Sequence, residues 1–160
     1  MSLLNHSLTL LLTLLLTLPL IGLAQPLTFE KSGFKIKALE APPHVQGSQP
    51  LAMLLPSDQG FSANVNVQIQ PFNGDILEYR ALSQSQFEQL GLKIVSESIK
   101  QNEVTLEYSG DMHGRVLHWY AKAIKQGPYV YLATATSLEI NWPQNRYELV
   151  QAVDSLELTQ

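Results

Sequence analysis

The chain has 160 residues, contains no cysteine and carries a formal net charge of −4 at pH 7. The lack of cysteine excludes a disulfide framework, a cysteine-based zinc site, a cysteine nucleophile and a lipidated cysteine behind a leader. The Lys and Arg residues all lie in 25–160, where they are evenly spread rather than clustered. No nucleic-acid surface is therefore expected, because binding phosphates requires grouped positive charge.

The first 24 residues predict a leader. They contain no Asp, Glu, Lys or Arg, and 8–24 is almost wholly apolar. Gly22 and Ala24 have the spacing of a signal-peptidase site, which predicts cleavage before Gln25 and a periplasmic or secreted protein. The apolar run is at the lower length limit for a spanning helix, so an uncleaved anchor is the alternative and the only membrane attachment expected. A single domain is predicted for 25–160.

The first half of this domain predicts four strands and then a helix. Residues 27–39 indicate two short strands or one hairpin, and the Pro-rich stretch 41–50 indicates a loop. A short apolar strand at 51–55 is predicted to pair with a longer strand at 61–70. That longer strand alternates an apolar set with a row of uncharged amides, which are Asn64, Asn66, Gln68 and Gln70. The alternation predicts one buried face and one polar face.

Two helices are predicted. Asp75 and Glu78 form the pattern of a capping box, and Gly91 supplies a stop. The apolar stripe predicted for this helix is Ile76, Tyr79, Leu82, Phe87 and Leu90. Near the end of the chain, Asn141 is predicted to cap a second helix with Pro143 in its first turn and Trp142 packed onto the sheet. The apolar face predicted for the second helix is Tyr147, Val150, Val153 and Leu156.

The stretch 103–138 reads as an antiparallel meander that follows a strand at 92–99. Strands are predicted at 103–109, 115–124 and 129–138, with turns at 110–114 and 126–128. Small side chains recur on two neighbouring strands, at Ala121, Ala123, Ala133 and Ala135. Small residues let a helix approach closely, so the second helix is predicted to pack over all four alanines.

This order of elements predicts an α+β fold in which an antiparallel sheet of about seven strands is flanked by two helices. The alternating strand at 61–70, the capped helix with Glu78-Tyr79, the hairpin strands and the terminal apolar helix resemble the PsbP-like superfamily, which includes exported bacterial DcrB-type proteins. The resemblance covers about 27–158. It implies an α/β/α sandwich and a non-enzymatic accessory or binding role, and it supplies no catalytic residues.

Two groups of side chains are candidates for a metal site or for catalysis. Asp111 and His113 share the first meander turn, with Glu107 nearby, but two ligands on one loop make an incomplete site and no metal is predicted. Asp in a turn is expected to bond its own backbone. His118 would suit a general base, but no Gly-x-Ser-x-Gly or comparable nucleophile accompanies it. A strand histidine satisfied by a hydrogen bond or by water is predicted instead, and His44 is predicted to lie in an exposed loop.

Aromatic residues cluster in the second hairpin, and cross-strand packing is their favoured role. Binding is the alternative interpretation, and it applies to two aromatic and three amide residues, which are Trp119, Tyr131, Asn64, Asn66 and Gln68.

The sequence predicts an exported, non-catalytic accessory protein of the cell envelope that contacts another envelope protein and needs no cofactor. The alternative is a periplasmic carrier that holds a small apolar or sugar-like ligand between sheet and helix. A hydrolase with a site not visible in the sequence is a third, weaker alternative. A carrier should have a pocket of roughly several hundred Å³. A binding module should have an open, exposed apolar patch.

Overall fold

The structure is a computed structural model that describes residues 26–39, 41–43 and 45–159. These residues divide between Ala38 and Leu39 into two compact units. The predicted domain, 25–160, spans both units. The predicted leader and His44 lie outside the described residues. Within the described part of the chain, no helix is both long and apolar enough to cross a membrane.

The smaller unit contains a hairpin. Strand β1 (Leu27–Phe29) pairs antiparallel with β2 (Phe34–Ile36). Gly33 turns the chain with a φ of 74°, a left-handed conformation that glycine adopts without a steric penalty. The rings of Phe29 and Phe34 stack with centroids 4.8 Å apart. The hairpin alternative predicted for 27–39 is confirmed.

The larger unit is built on a six-stranded antiparallel sheet with the order β3-β4-β8-β7-β6-β5. Its strands are β3 (Ser48–Leu54), β4 (Asn64–Pro71), β5 (Lys93–Lys100), β6 (Glu103–Met112), β7 (Arg115–Gln126) and β8 (Tyr129–Leu138). Helix α1 (Ile76–Leu90) covers one face and α2 (Trp142–Asp154) covers the other. The predicted α+β class and the α/β/α sandwich are confirmed, although this sheet has six strands and the remaining two form the separate hairpin.

The turn between β6 and β7 is shorter than predicted. The sequence predicts a turn over 110–114, but Met112 already pairs with Arg115. Only His113 and Gly114 connect the strands, with φ values of 56° and 79°. Positive φ at both central residues matches the right-handed twist of the two strands and keeps the hairpin tight.

The turn between β7 and β8 is shorter than predicted as well, by one residue. The predicted turn covers 126–128, whereas Gln126 pairs with Tyr129 and leaves Gly127 and Pro128 as the connection. A change of one residue in a hairpin turn shifts the pairing register and moves side chains to the opposite face.

This register corrects the prediction for the alanines. Ala121 pairs with Thr134 rather than with Ala133, so the two alanine pairs lie on opposite faces of the sheet. Ala133 and Ala135 pack in the cluster beneath α2, as predicted. Ala123 packs beneath α1, so the prediction is wrong for the Ala121–Ala123 pair.

The sequence signals at the two ends of α1 predict correctly where the helix begins and ends. The Asp75 side chain accepts the N–H groups of Leu77 and Glu78, and the Glu78 carboxylate accepts the N–H of Asp75. This reciprocal arrangement is the predicted capping box. Gly91 ends the helix with a φ of 69°. The predicted apolar stripe is only partly correct, because Leu82 and Leu90 are exposed whereas Ser83 is buried.

The apolar face predicted for helix α2 is correct except for Tyr147. Val153 is buried and Val150 and Leu156 pack against the same core cluster, whereas Tyr147 is 70% exposed and the buried residues also include Trp142 and Leu149. Spacings of four and seven residues keep side chains on one side of a helix, but a strict three-residue spacing drifts around it. Asn141 makes no side-chain cap and instead donates to Asp58 Oδ2 at 2.8 Å.

Candidate functional site

A buried histidine on β7 joins two carboxylates beneath the start of α2. His118 is 5% exposed. Its Nε2 lies 3.0 Å from Glu107 Oε1, and its Nδ1 lies 2.8 Å from Glu139 Oε2. Neutral imidazole has one N–H and one acceptor nitrogen, whereas imidazolium donates from both nitrogens. The protonated ring therefore satisfies both carboxylates at once.

Glu107 on β6 is the most highly bonded member of this group. Ser96 Oγ and Trp142 Nε1 each donate to its carboxylate at 3.2 Å, and Arg146 Nε lies 3.7 Å away. Burial alone raises the pKa of this carboxyl. The hydrogen bonds from His118, Ser96 and Trp142, together with the charge of Arg146, outweigh burial and hold the pKa below its ordinary value.

Trp142 closes the group from the side of α2. Its ring stacks on the imidazole of His118 with centroids 4.2 Å apart. It is 6% exposed and shares a core cluster with Ala133 and Ala135, so the predicted packing of Trp142 onto the sheet is confirmed. We name Glu107, His118, Glu139 and Trp142 the buried ion network.

The arrangement of this network assigns His118 a structural role. Because both ring nitrogens contact carboxylates, neither lone pair is available to take a proton from a substrate or to bind a metal. The residues that the structure describes contain no cluster of three or more His, Cys, Asp and Glu side chains able to hold a metal ion. The network instead ties β6 and β7 to the start of α2.

The turn residues Asp111 and His113 do not join this network. Asp111 Oδ1 accepts the backbone N–H of Gly114 at 2.9 Å, the local bond expected for Asp in a turn. His113 is exposed. Glu107, which lies near them in sequence, is bound to His118 instead.

An open depression adjoins the network at one end of the sheet. It has a volume of about 510 Å³ and is lined by Gln59, Arg115, Val116, Leu138, Glu139 and Ile140. Val116 is 52% exposed and Ile140 is 72% exposed. Two rim side chains are anchored, because Arg115 Nη1 donates to the carbonyl of Gly60 at 3.1 Å and Glu139 contacts His118. We name this surface the end depression.

The predicted amide row lies on the same face of the sheet as α1. Gln70 Nε2 donates to Gln68 Oε1 at 3.0 Å, and Gln68 Nε2 donates to Asn66 Oδ1 at 3.3 Å. Asn64 donates to the carbonyl of Ser62 at 3.0 Å. The row is half-buried, and its amides are largely engaged with one another.

The structure does not bring the five predicted binding residues together. Trp119 lies on the α1 face, is 8% exposed and stacks on Tyr108 with centroids 5.2 Å apart. Tyr131 pairs with Ile69 and Ile124 on the α2 face and is half-buried. Trp119 therefore has the packing role favoured for the hairpin aromatics. Binding by the other four residues stays a prediction.

The lowered pKa of Glu107 predicts a specific acid response. A carboxyl whose pKa is lowered by folding stabilises the native state at any pH above its ordinary pKa of 4.5. That contribution is lost as the pH falls through the lower pKa of the folded protein. The Glu107→Gln variant has no titrating group at this position. We expect the difference in free energy of unfolding between wild type and Glu107→Gln to be constant at neutral pH and to shrink on acidification below 4.5. Urea unfolding of both proteins between pH 7 and about pH 2 measures it. A difference that stays constant over the whole range would contradict the role given to Glu107.

Comparison with known proteins identifies the fold. No family model and no curated protein matches the chain. Among solved structures, protein PA94 of Pseudomonas aeruginosa, described as a protein of unknown function and candidate regulator, has a TM-score of 0.61 and 19% identity, over 85% of this chain and 97% of that chain.

Two further solved structures are less similar. LpqN, which is involved in cell envelope biogenesis of Mycobacterium tuberculosis, has a TM-score of 0.47 and 12% identity, over 73% of this chain and 80% of that chain. The PsbP of the cyanobacterium Synechocystis sp. PCC 6803 has a TM-score of 0.45 and 15% identity, over 91% of this chain and 99% of that chain. The solved structures similar to this chain thus include a PsbP, as the predicted resemblance implies, and at these identities the similarity concerns the fold alone.

Proposed function

We propose that the chain is an exported, non-catalytic accessory protein of the cell envelope that acts by binding another protein at the end depression. The observation that carries the proposal is the exposure of Val116 and Ile140 around one open depression. Single exposed apolar residues are common, but apolar side chains grouped in one place, with polar residues around them, mark contact surfaces.

The rim residues make this surface suitable for specific recognition. Arg115 is held by the Gly60 carbonyl, and Glu139 is held by His118. Anchored side chains lose little conformational entropy on binding, which favours affinity. A partner is expected to place an apolar side chain against Ile140 and to present opposite charges to Arg115 and Glu139.

Export is the part of the proposal that depends on sequence. The apolar stretch 8–24 with Gly22 and Ala24 supports a cleaved leader. The composition of the chain, which has no cysteine, suits an oxidising compartment such as the periplasm.

Crosslinking followed by affinity purification from the native envelope tests the contact. We expect one protein to be recovered with wild type and to fall by about tenfold or more with Ile140→Ser, because central apolar residues dominate contact surfaces. Leu77→Ser is the matched control, since Leu77 is also exposed, at 56%, but lies on α1. Equal recovery with wild type and both variants, or recovery of no protein, would overturn the proposal.

A further inference from the structure

A cleft lies between α1 and the sheet, on the face opposite α2. Its volume is about 290 Å³. Its floor includes Ala121 and Leu132, and α1 contributes polar and apolar side chains from one side. The full lining is Gln70, Tyr79, Leu82, Ser83, Gln86, Phe87, Leu106, Tyr108, Ala121 and Leu132.

Aromatic stacking fixes one wall of this cleft. The ring of Tyr108 lies between Phe87, at a centroid distance of 4.1 Å, and Trp119, at 5.2 Å. Tyr79 packs edge-on against Phe72 with centroids 5.3 Å apart, and its hydroxyl donates to Gln70 Oε1 at 2.8 Å. A wall held in this way is largely preformed, which is typical of small-molecule sites.

The polar groups of the cleft are neutral. Of the residues that the structure describes, no Asp, Glu, Lys, Arg or His lines it. Burial raises the pKa of Tyr79 to about 12 and raises the pKa of Tyr108 further, so both phenols stay uncharged at neutral pH. A charged ligand would lose its hydration here without gaining a countercharge.

Two polar groups in the cleft are available to a ligand. A third group, Ser83 Oγ, already donates to the backbone carbonyl of Tyr79 at 2.9 Å. Among the residues that the structure describes, the hydroxyl of Tyr108 and the side-chain amide of Gln86 have no hydrogen-bond partner. No buried side-chain nitrogen or oxygen of the described residues lacks a partner, so both groups lie on the open side of the cleft, where a ligand can reach them.

We infer that this cleft binds a compact, uncharged aromatic molecule that carries one hydroxyl group. Its ring packs against Phe87, Leu106 and Leu132, and its hydroxyl bonds to Tyr108 and Gln86. The volume lies just below the usual range for drug-sized ligands, roughly 300–1,000 Å³, which restricts the ligand to a single ring. The inference is independent of the contact proposed at the end depression.

The small side chain of Ala121 leaves the space that forms the cleft. It lies on the floor of the cleft and faces α1, because it pairs with Leu106 on β6. A leucine at this position would fill the space that the ring occupies. Ala52→Leu is a matched control, since Ala52 is exposed on the edge strand β3.

Titration with p-cresol, followed by amide chemical shifts of the whole chain, tests the inference. We expect saturable shifts at Tyr79, Ala121 and Leu132 in wild type and in Ala52→Leu, and none in Ala121→Leu. Tyr108→Phe removes one hydroxyl without changing ring packing, and we expect about fivefold weaker binding, the effect of one neutral hydrogen bond.

Charged and non-aromatic probes complete the test. Benzoate and methyl glucoside are expected to give no saturable shifts in the cleft. The inference is overturned by p-cresol shifts that do not saturate or that map elsewhere. It is also overturned by undiminished binding to a folded Tyr108→Phe protein, or by binding of benzoate or the glucoside as tight as that of p-cresol.

Discussion

Truncation of Trp142 to alanine is expected to lower the free energy of unfolding by about 3–5 kcal/mol, the range for removing a large aromatic side chain from a core. Trp142 is buried at the start of α2 and stacks on His118. Its Nε1 also donates to Glu107. The variant therefore leaves a cavity and removes a donor from a buried carboxylate. Urea unfolding of wild type and variant at neutral pH measures the loss.

Tyr147→Ala is the matched control for this prediction. Tyr147 lies on the same helix but is 70% exposed. Its truncation is expected to change stability by about 0.5 kcal/mol or less, as is usual for surface positions. A loss below about 1 kcal/mol for Trp142→Ala would show that α2 is not held by this residue.

The Glu107→Leu variant is expected to lose about 3–5 kcal/mol of stability, because removing one partner of a buried ion pair leaves the other without compensation. The Glu107 side chain is 11% exposed and the His118 side chain is 6% exposed. His118 would keep only Glu139, whose side chain is 44% exposed, and Trp142 and Ser96 would lose their acceptor. Thermal or urea unfolding at pH 7 measures this loss.

Two comparisons separate the loss of the buried partner from packing. Glu97→Leu removes a surface pair in which the Glu97 and Arg80 side chains are 36% and 30% exposed, and it should cost about 1 kcal/mol or less. Adding His118→Leu to Glu107→Leu removes both members of the buried pair, so the double variant is expected to recover about half of the loss or more. A double variant less stable than Glu107→Leu alone would contradict an origin in the loss of His118's partner.

The elements of the fold were predictable because their signals are local. The capping box of Asp75 and Glu78, the stop at Gly91 and the alternation of β4 each depend on neighbouring residues only. The predicted order of strands and helices therefore agrees with the structure. The edge strand β3 begins at Ser48 and includes Pro50, which the sequence placed in a loop. An edge strand tolerates a proline because one side of its backbone has no partner strand.

Face assignments were not predictable, because they depend on the lengths of two turns. With the predicted five-residue turn at 110–114, Ser109 would pair with Arg115 across the strands, and His118 would pair with Leu106. In the structure Ser109 pairs with His118. The two registers differ by three residues, an odd number, so His118 lies on the side of the sheet that contains Glu107 rather than on the side of Leu106. The buried ion network was missed for this reason.

The remaining contacts of the site are long-range and carry no sequence signal. Glu139 and Trp142 reach His118 only because β8 returns beside β7 and α2 folds back over the sheet. Val116 and Ile140, far apart in sequence, meet at the end depression for the same reason. Asn141 has the composition of a cap, yet its side chain bonds to Asp58 across the fold.

The decisive measurement for the proposed contact is site-specific photocrosslinking in the native envelope. A photoreactive aromatic residue is placed at Ile140, at Val116 and, as the control, at Leu77, positions with exposures of 72%, 52% and 56%. We expect the same protein adduct from positions 140 and 116 and none from 77. Adducts of equal yield from all three positions, or none from 140 and 116, would contradict binding at the end depression.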